Sequence, residues 1–454
     1  MSNNYSIRIH SIDTLRGLAI GFMILSGAIA YHCGLPAWMF HCQVPPPDYV
    51  FNPAVRGITW VDIAFPFFIF SMGAAFPLAM RKRLENGTSN LEIIGSLLKR
   101  WITLVLFSLL IGNAERVGSS SAPDYMKGIF SILVWAGMFL CLLRTKNKKI
   151  ARYGYLLILA LMAAEWLYFK VPLSLYHTDI IIMILSSVAL VGGFLWLFTR
   201  HSLGLRALVC LMVAAIKAVT SYTDALDFLV LPHWITWLFN WGFLQYLVIA
   251  LAASMVGDML LVSHASHAPK NERYANGWAA LVAIVAAAVQ LWGLYTRNVA
   301  IDLYITVSLA VIFVALIKKN VNTNAKIGII GFVMLLAGIL FDWPDGGIAK
   351  DNCNLSYLFV TAGMASLLIY AFEHAGYKGS NGSFLARSGM NPMIAYTIAW
   401  FVIEPILYAC GIMPLIDGLT AGSMFWGVMR GVITVTLTYT LTGLFTRLEI
   451  FWRS

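Results

Sequence analysis

The chain has 454 residues, 60% of them hydrophobic and only 11% charged, with a formal net charge of +10. Its mean hydropathy of +0.78 excludes a soluble domain and a disordered chain. The positive charge is therefore a topological signal first, and no reason to expect a nucleic-acid partner.

Apolar runs of membrane-spanning length recur from end to end, unbroken rather than alternating, so the expected fold is all-α and not a β-barrel. In chain order they predict helices near 15–33, 59–80, 95–113, 128–143, 153–170, 179–198, 205–221, 241–262, 277–296, 302–318, 326–342, 355–373, 386–409 and 424–446. This is a polytopic bundle of about 12–14 transmembrane helices, read as a single domain over 1–454. Cations cluster after alternate spans: Arg81 to Arg83, Arg144 to Arg152, Arg200 to Arg206, Lys270 to Arg273, Lys318 to Lys326 and Arg447 to Arg453. The positive-inside rule makes those loops and both termini cytoplasmic. Arg8 and Arg16 precede the first apolar run, but no small-residue cleavage site follows, so the first helix is expected to be retained.

The most informative stretch is Ile12 to Pro77. It reads I-D-T-L-R-G-L-A into a helix, crosses a loop holding His41 and Pro45-Pro46-Pro47, and re-enters as T-W-V-D-I-A-F-P-F-F-I-F-S-M-G. Asp13, Arg16 and Asp62 are charges at or inside apolar segments, where retention is costly and marks a ligand or ion path. The plainer alternative is that they staple helix ends, evenly balanced for Asp13 and less favoured for Asp62. Either Arg16 or an imidazole would partner Asp62. Two further segments combine polar chemistry with membrane proximity: F-D-W-P-D-G-G-I-A-K-D-N-C-N-L-S-Y, with Asp342, Lys350, Asn352, Ser356 and Tyr357, and S-G-M-N-P-M-I-A-Y, with Asn391. Their plain readings are interfacial charges, a turn and a helix cap.

Of the six cysteines, Cys141 and Cys210 lie in spans and read as packing. Cys33 and Cys42 share the first external loop and are a candidate disulfide if that side is a periplasm, while Cys353 and Cys410 also fall on that side. No Cys/His spacing suits zinc, and His264 with His267 reads as a solvated loop, so no metal is expected.

Four of these blocks resemble, in order, the transmembrane acyltransferase family that includes heparan-α-glucosaminide N-acetyltransferase. I-D-T-L-R-G-L is similar to its L-D-x-x-R-G-L, and D-I-A-F-P-F-F-I-F-S-M-G to its D-L-V-F-P-x-F-x-F-x-M-G. Lys350, Asn352, Leu355, Ser356 and Tyr357 match N-K-N-L-W-S-L-S-Y, and Gly389, Asn391 and Tyr396 match G-x-N-S-I-L-x-Y. The middle third of the chain matches none of its signatures. The resemblance implies transfer of an acetyl group from cytosolic acetyl-CoA to an amino sugar or glycan across the membrane, and a homodimer. It implies a catalytic His in the first external loop. Here the sequence departs: N-P-A-V-R-G-I-T places Asn52 at that position, and Gly27 stands where the family has Asn. His41, in the same loop, is then the expected imidazole.

Acyl transfer needs a base or a nucleophilic relay, and His41 suits either, with Asp62 orienting it. Asn391 is the expected oxyanion donor, with Ser356 and Tyr357 as alternatives by residue type. The donor's phosphates call for cations, and Arg16, Lys99 and Arg100 are expected there with Asp13 beside them. Asp342, Lys350, Asn352, Ser356 and Tyr357 would face the acceptor. The expected location is a bacterial inner membrane. The alternative is a secondary transporter using Lys217, Asp258 and Glu404 as intramembrane charges.

Overall fold

A computed structural model describes residues 8–145, 147–223, 233–265, 277–319, 321–376 and 384–452. Among these residues there is no strand, only an isolated bridge between Leu143 and Trp452. Thirteen helical segments are long and apolar enough to cross a bilayer. The polytopic helical membrane fold is therefore as the composition requires.

The first seven helices are α1 (His10–Ala28), α2 (Ala64–Glu85), α3 (Asn90–Arg116), α4 (Asp124–Leu142), α5 (Lys148–Leu167), α6 (Ile180–Thr199) and α7 (Leu203–Tyr222). After two single turns, α8 (His233–Thr236) and α9 (Trp241–Leu244), come α10 (Leu247–Ala265), α11 (Gly277–Gly293), α12 (Val299–Ile317), α13 (Thr323–Phe341) and α14 (Leu355–Gly376). The starts carry side-chain caps. Ser89 accepts from the Glu92 amide at α3, Asp179 from Ile182 at α6, Ser202 from Leu205 at α7 and Asn322 from Ala325 at α13. These caps satisfy amide groups that the helix itself leaves without a partner.

α10 and α14 are the most buried spans, whereas α4, α5, α7 and α12 form the rim. The core is closed by small residues: a Cβ on Gly73 would strike the Ala250 backbone, and one on Gly257 the Ala74 backbone. That reciprocal fit lets α2 and α10 touch main chain to main chain, as small residues do in lipid.

The segment expected as one helix over 386–409 is broken. It runs as α15 (Phe384–Gly389), α16 (Pro392–Ile398), a π turn over Ala399–Ile403 and α17 (Glu404–Ala409). Pro392 has no amide to continue α15, and the π turn absorbs a second register change. α18 (Ile412–Thr420) and α19 (Met424–Arg447) complete the chain. Other boundaries also differ from expectation: α2 runs five residues later than 59–80. α1 stops at Ala28, so residues 29–33 join the loop, and α11 is only 17 residues long.

The antiparallel run of helices puts residues 29–63 and 342–354 at one end of the bundle, hereafter the His41 end. Arg81 to Arg83 and residues 143–145 lie at the other. His267, Lys270, Arg273 and Arg453 fall outside the described residues. His264 is not in a solvated loop; it ends α10 and bonds the buried Glu373 at 2.8 Å.

Candidate active site

The α2 start builds the first half of the site. Thr59 and Asp62 form a T-x-x-D turn in which the Thr59 amide donates to Asp62 Oδ2 at 2.9 Å. This turn leads directly into α2 and sets the carboxylate beside the favourable end of that helix. The Cys42 amide adds a bond at 3.3 Å, and His41 Nδ1 lies 2.7 Å from Oδ1. Asp62 is fully buried. Burial alone would raise its pKa, but the His41 hydrogen bond and charge, the Lys350 charge and the Thr59 amide outweigh it and hold the carboxyl below its ordinary value.

Lys350 Nζ approaches His41 Nδ1 at 3.1 Å, Nε2 at 3.5 Å and Asp62 Oδ1 at 4.0 Å. Nδ1 cannot both donate to Asp62 and accept from Lys350. The shorter contact to a buried carboxylate assigns the proton to Nδ1, which leaves the Nε2 lone pair as the free base. Lys350 then acts as a charge beside the ring. Burial, then the Asp62 charge, push the neighbouring Cys42 thiol up to about 12, so it is neutral at physiological pH and no nucleophile.

Lys350 is delivered by the 342–354 loop, and residues that the sequence did not single out position that loop. Arg297 grips Asp342 in a bidentate pair at 2.8 and 2.7 Å. Asp342 also accepts from the Ile348 amide at 2.7 Å. Arg56 donates to the Gly346 carbonyl at 3.2 Å, and the Gly57 amide to that of Ile348 at 2.8 Å. Gly347, at φ +105°, has the Arg56 and Arg297 side chains against it and no room for a Cβ. Asn354, buried, caps the Tyr357 amide at 3.1 Å and holds the Gly347 carbonyl at 2.9 Å. The N-x-x-Y spacing before an apolar run was the signal for that cap.

Several expected roles change. Asp342 is consumed by Arg297 and Ile348, so it holds the loop rather than facing an acceptor. Tyr357 is buried and donates to the Asp62 carbonyl at 2.6 Å. Ser356 is buried, its amide bonded to Asp345 and its hydroxyl unpartnered. Asn352 is exposed, and its carbonyl accepts from Lys217 at 3.1 Å. Asn52 caps an exposed turn through the Ala54 amide. Cys33 and Cys42 are free thiols, Cys33 near the Ala30 carbonyl and Cys42 near that of Arg56. They are held apart by separate packing, so the disulfide does not form.

The second half lies deeper along the same helix pair. A cavity of about 280 Å³ is lined by Arg16, Arg100, Phe68, Met72, Asn391 and Tyr396 among others. Asn391 therefore sits on this wall, not beside His41, and its amide donates to the Ile450 carbonyl at 2.7 Å. The break at Pro392 places it there. Arg16 does not reach Asp62. Its guanidinium bonds Asp13 at 3.2 Å, the Gly389 carbonyl at 3.1 Å, and the Ser71 hydroxyl and carbonyl at 3.3 and 3.2 Å. Of five N–H donors, one is left over. Asp13 is thus a partner of Arg16 and not a cavity residue. Arg100 differs: its buried Nε has no hydrogen-bond partner. Lys99 is exposed and lines neither half.

Residues 8–260 match a family model described as a domain of unknown function, DUF5009. The chain belongs to the DUF5009 family. That match takes in the His41–Asp62 pair, Arg16 and Arg100, whereas Lys350 and Asn391 of this DUF5009 protein lie beyond it. Over 124 residues the chain is 29% identical to heparan-alpha-glucosaminide N-acetyltransferase of Mus musculus and 28% to that of Homo sapiens. Each match covers 27% of this chain and 15% of the relative, so the similarity spans a small part of those enzymes.

Each residue of the transporter alternative has its own partner. Lys217 is engaged at Asn352, Asp258 is bonded to Arg206 at 2.5 Å, and Glu404 lies 3.9 Å from Arg430.

Proposed function

We propose that this protein is a membrane-embedded acyltransferase. It would take an acetyl group from acetyl-CoA, bound from the cytosol in the Arg100 cavity, and pass it to an amino sugar or glycan hydroxyl at the external, periplasmic face of an inner membrane. One observation carries the reading: the imidazole cluster and the cationic cavity share the α1–α2 pair. Asp62, just before α2, and the cavity-lining Phe68 and Met72 are six and ten residues apart, or roughly 9 to 15 Å at the helical rise. The extended arm between the phosphates and thioester of acetyl-CoA suits that separation.

The residues fit the donor. A cavity of about 280 Å³ with apolar walls takes the arm but not the nucleotide, which stays at the mouth. Arg100, lacking a protein partner, and the spare Arg16 donor supply charge for phosphate. At the His41 end, Nε2 takes the proton of the acceptor amine or hydroxyl as the new C–N or C–O bond forms. The thioester C–S bond breaks, and the imidazolium returns that proton to the departing thiolate. Asp62 stabilises the imidazolium. The Lys350 ammonium stands where the carbonyl oxygen gains charge, replacing Asn391 in that role. An acyl-imidazole relay would use the same lone pair.

The deciding experiment offers radiolabelled acetyl-CoA and glucosamine to opposite sides of proteoliposomes. Acetylated sugar formed only with active protein supports the reading. Solute counterflow without CoA, and no labelled product, would overturn it in favour of transport.

A further inference from the structure

A different part of the molecule carries an independent observation. α3, α4 and α5 enclose a slot of about 500 Å³ whose walls are almost wholly apolar, among them Leu106, Phe107, Ile158 and Met162. Leu106 and Tyr155 are each 60% exposed, so the slot opens sideways. In this fold that side faces hydrocarbon. From Tyr155 to Glu165 it follows ten residues of α5, roughly 15 Å. A second cavity of about 360 Å³, at the end opposite His41, shares Cys141 and Tyr155 with it and is lined by Lys148 and Arg152. The two spaces adjoin across Cys141 and Tyr155, an apolar trough beside a basic mouth.

Among the described residues, no Asp or Glu lines the mouth. No Asp or Glu occurs between Asp124 and Glu165. Among the described residues Lys148 and Arg152 have no carboxylate partner. Lys148 and Lys149 also open α5, where the positive end of the helix dipole disfavours cations. An anion at this point would relieve both penalties, and the adjoining trough specifies that it bears a hydrocarbon chain. Glu165, buried with an unpartnered oxygen, lies at the far end, beyond the reach of a head group at the cations.

We propose that this trough binds one anionic phospholipid, its phosphate at Lys148 and Arg152 and an acyl chain along Leu106, Ile158 and Met162. Phe107 lines the trough and packs edge-on against Trp452 at 6.0 Å, and Trp452 lines the Arg100 cavity. The lipid would thereby buttress one wall of that cavity.

The test is native mass spectrometry of the full chain in detergent, titrated with phosphatidylglycerol, phosphatidylcholine or inorganic phosphate. One phosphatidylglycerol per chain should persist where phosphatidylcholine is lost. Lys148→Ala and Arg152→Ala should each weaken it about fivefold, because a membrane-surface cation contributes about 1 kcal/mol. Ile158→Trp should weaken it by filling the trough, and Lys318→Ala, at the same end but remote in sequence, should not. Equal retention of both lipids, equal loss in Lys318→Ala, no effect of Ile158→Trp, or competition by inorganic phosphate at the lipid's concentration would each overturn the proposal. The exposed-cation variants leave the packing intact, so misfolding of Ile158→Trp would not obscure the result.

Discussion

The two halves of the candidate site satisfy their charges in opposite ways. Both oxygens of Asp62 are met: Oδ2 by the Thr59 and Cys42 amides and Oδ1 by the His41 ring, with Lys350 nearby. Around Arg100 the guanidinium Nε is buried and left without a partner. A buried polar group lacking a hydrogen bond costs about 1–3 kcal/mol, more when charged. The first arrangement is a rigid device complete in itself, and the second is a socket that awaits an anion. That contrast separates groups that act on a substrate from groups that hold one.

The largest effect is expected at the complete half. His41→Ala should lower turnover by about 10²–10⁴-fold while acetyl-CoA binding is retained, measured by product formation and by isothermal titration. Near-normal turnover would move the chemistry elsewhere and dissolve the contrast.

Asp62→Asn should cost turnover and also stability: its amide oxygen can still accept from the Thr59 and Cys42 amides, but its NH2 then faces His41 Nδ1, which moves the ring proton to Nε2 and removes the charged hydrogen bond. The pH dependence follows from the lowered pKa. The carboxylate contributes its full stabilisation above its unfolded value near about 3.9, and loses it as pH falls through the lower folded value. Thermal melts should therefore show the wild type losing this stabilisation only on acidification below about pH 4, and Asp62→Asn lacking that limb. An acid limb beginning above pH 5 would contradict the assignment.

At the socket, Arg100→Ala should raise KM for acetyl-CoA about tenfold or more, with little change for the acceptor, as loss of one charged hydrogen bond implies. Arg16→Ala should instead lower the melting temperature more than it raises that KM, because most of its donors hold Ser71, Gly389 and Asp13. The reverse ranking would make Arg16 the anion contact.

The smallest effect tests the scaffold. Arg297→Met frees Asp342 and loosens the loop that presents Lys350. It should reduce kcat by about tenfold and leave acetyl-CoA binding unchanged. In an Arg297→Met, Lys350→Ala double-mutant cycle the two losses should be strongly non-additive. Simple additivity would separate the loop from the catalytic cluster.

Composition and run length by themselves determined that this chain is a polytopic helical membrane protein, since hydrocarbon forces every long apolar segment into a helix. The sequence also marked Asp62, with Asp13 and Arg16, as charges too costly to sit idle near lipid, His41 by its proline-rich loop, Lys350 by its block and Arg100 as a cation suited to phosphate. What it could not supply were partners across the chain. Asp62 had two eligible counter-groups, and only packing separates the imidazole 21 residues away from the guanidinium held by Ser71. Asn391 looked catalytic by type, yet the Pro392 break sets it on the cavity wall. Arg297 and Arg56 were silent because each acts on a carboxylate or loop carbonyl far away in sequence, unlike Asn354, whose cap is local. Local pattern reports what a residue costs in its surroundings; which distant group meets that cost is decided when the helices close.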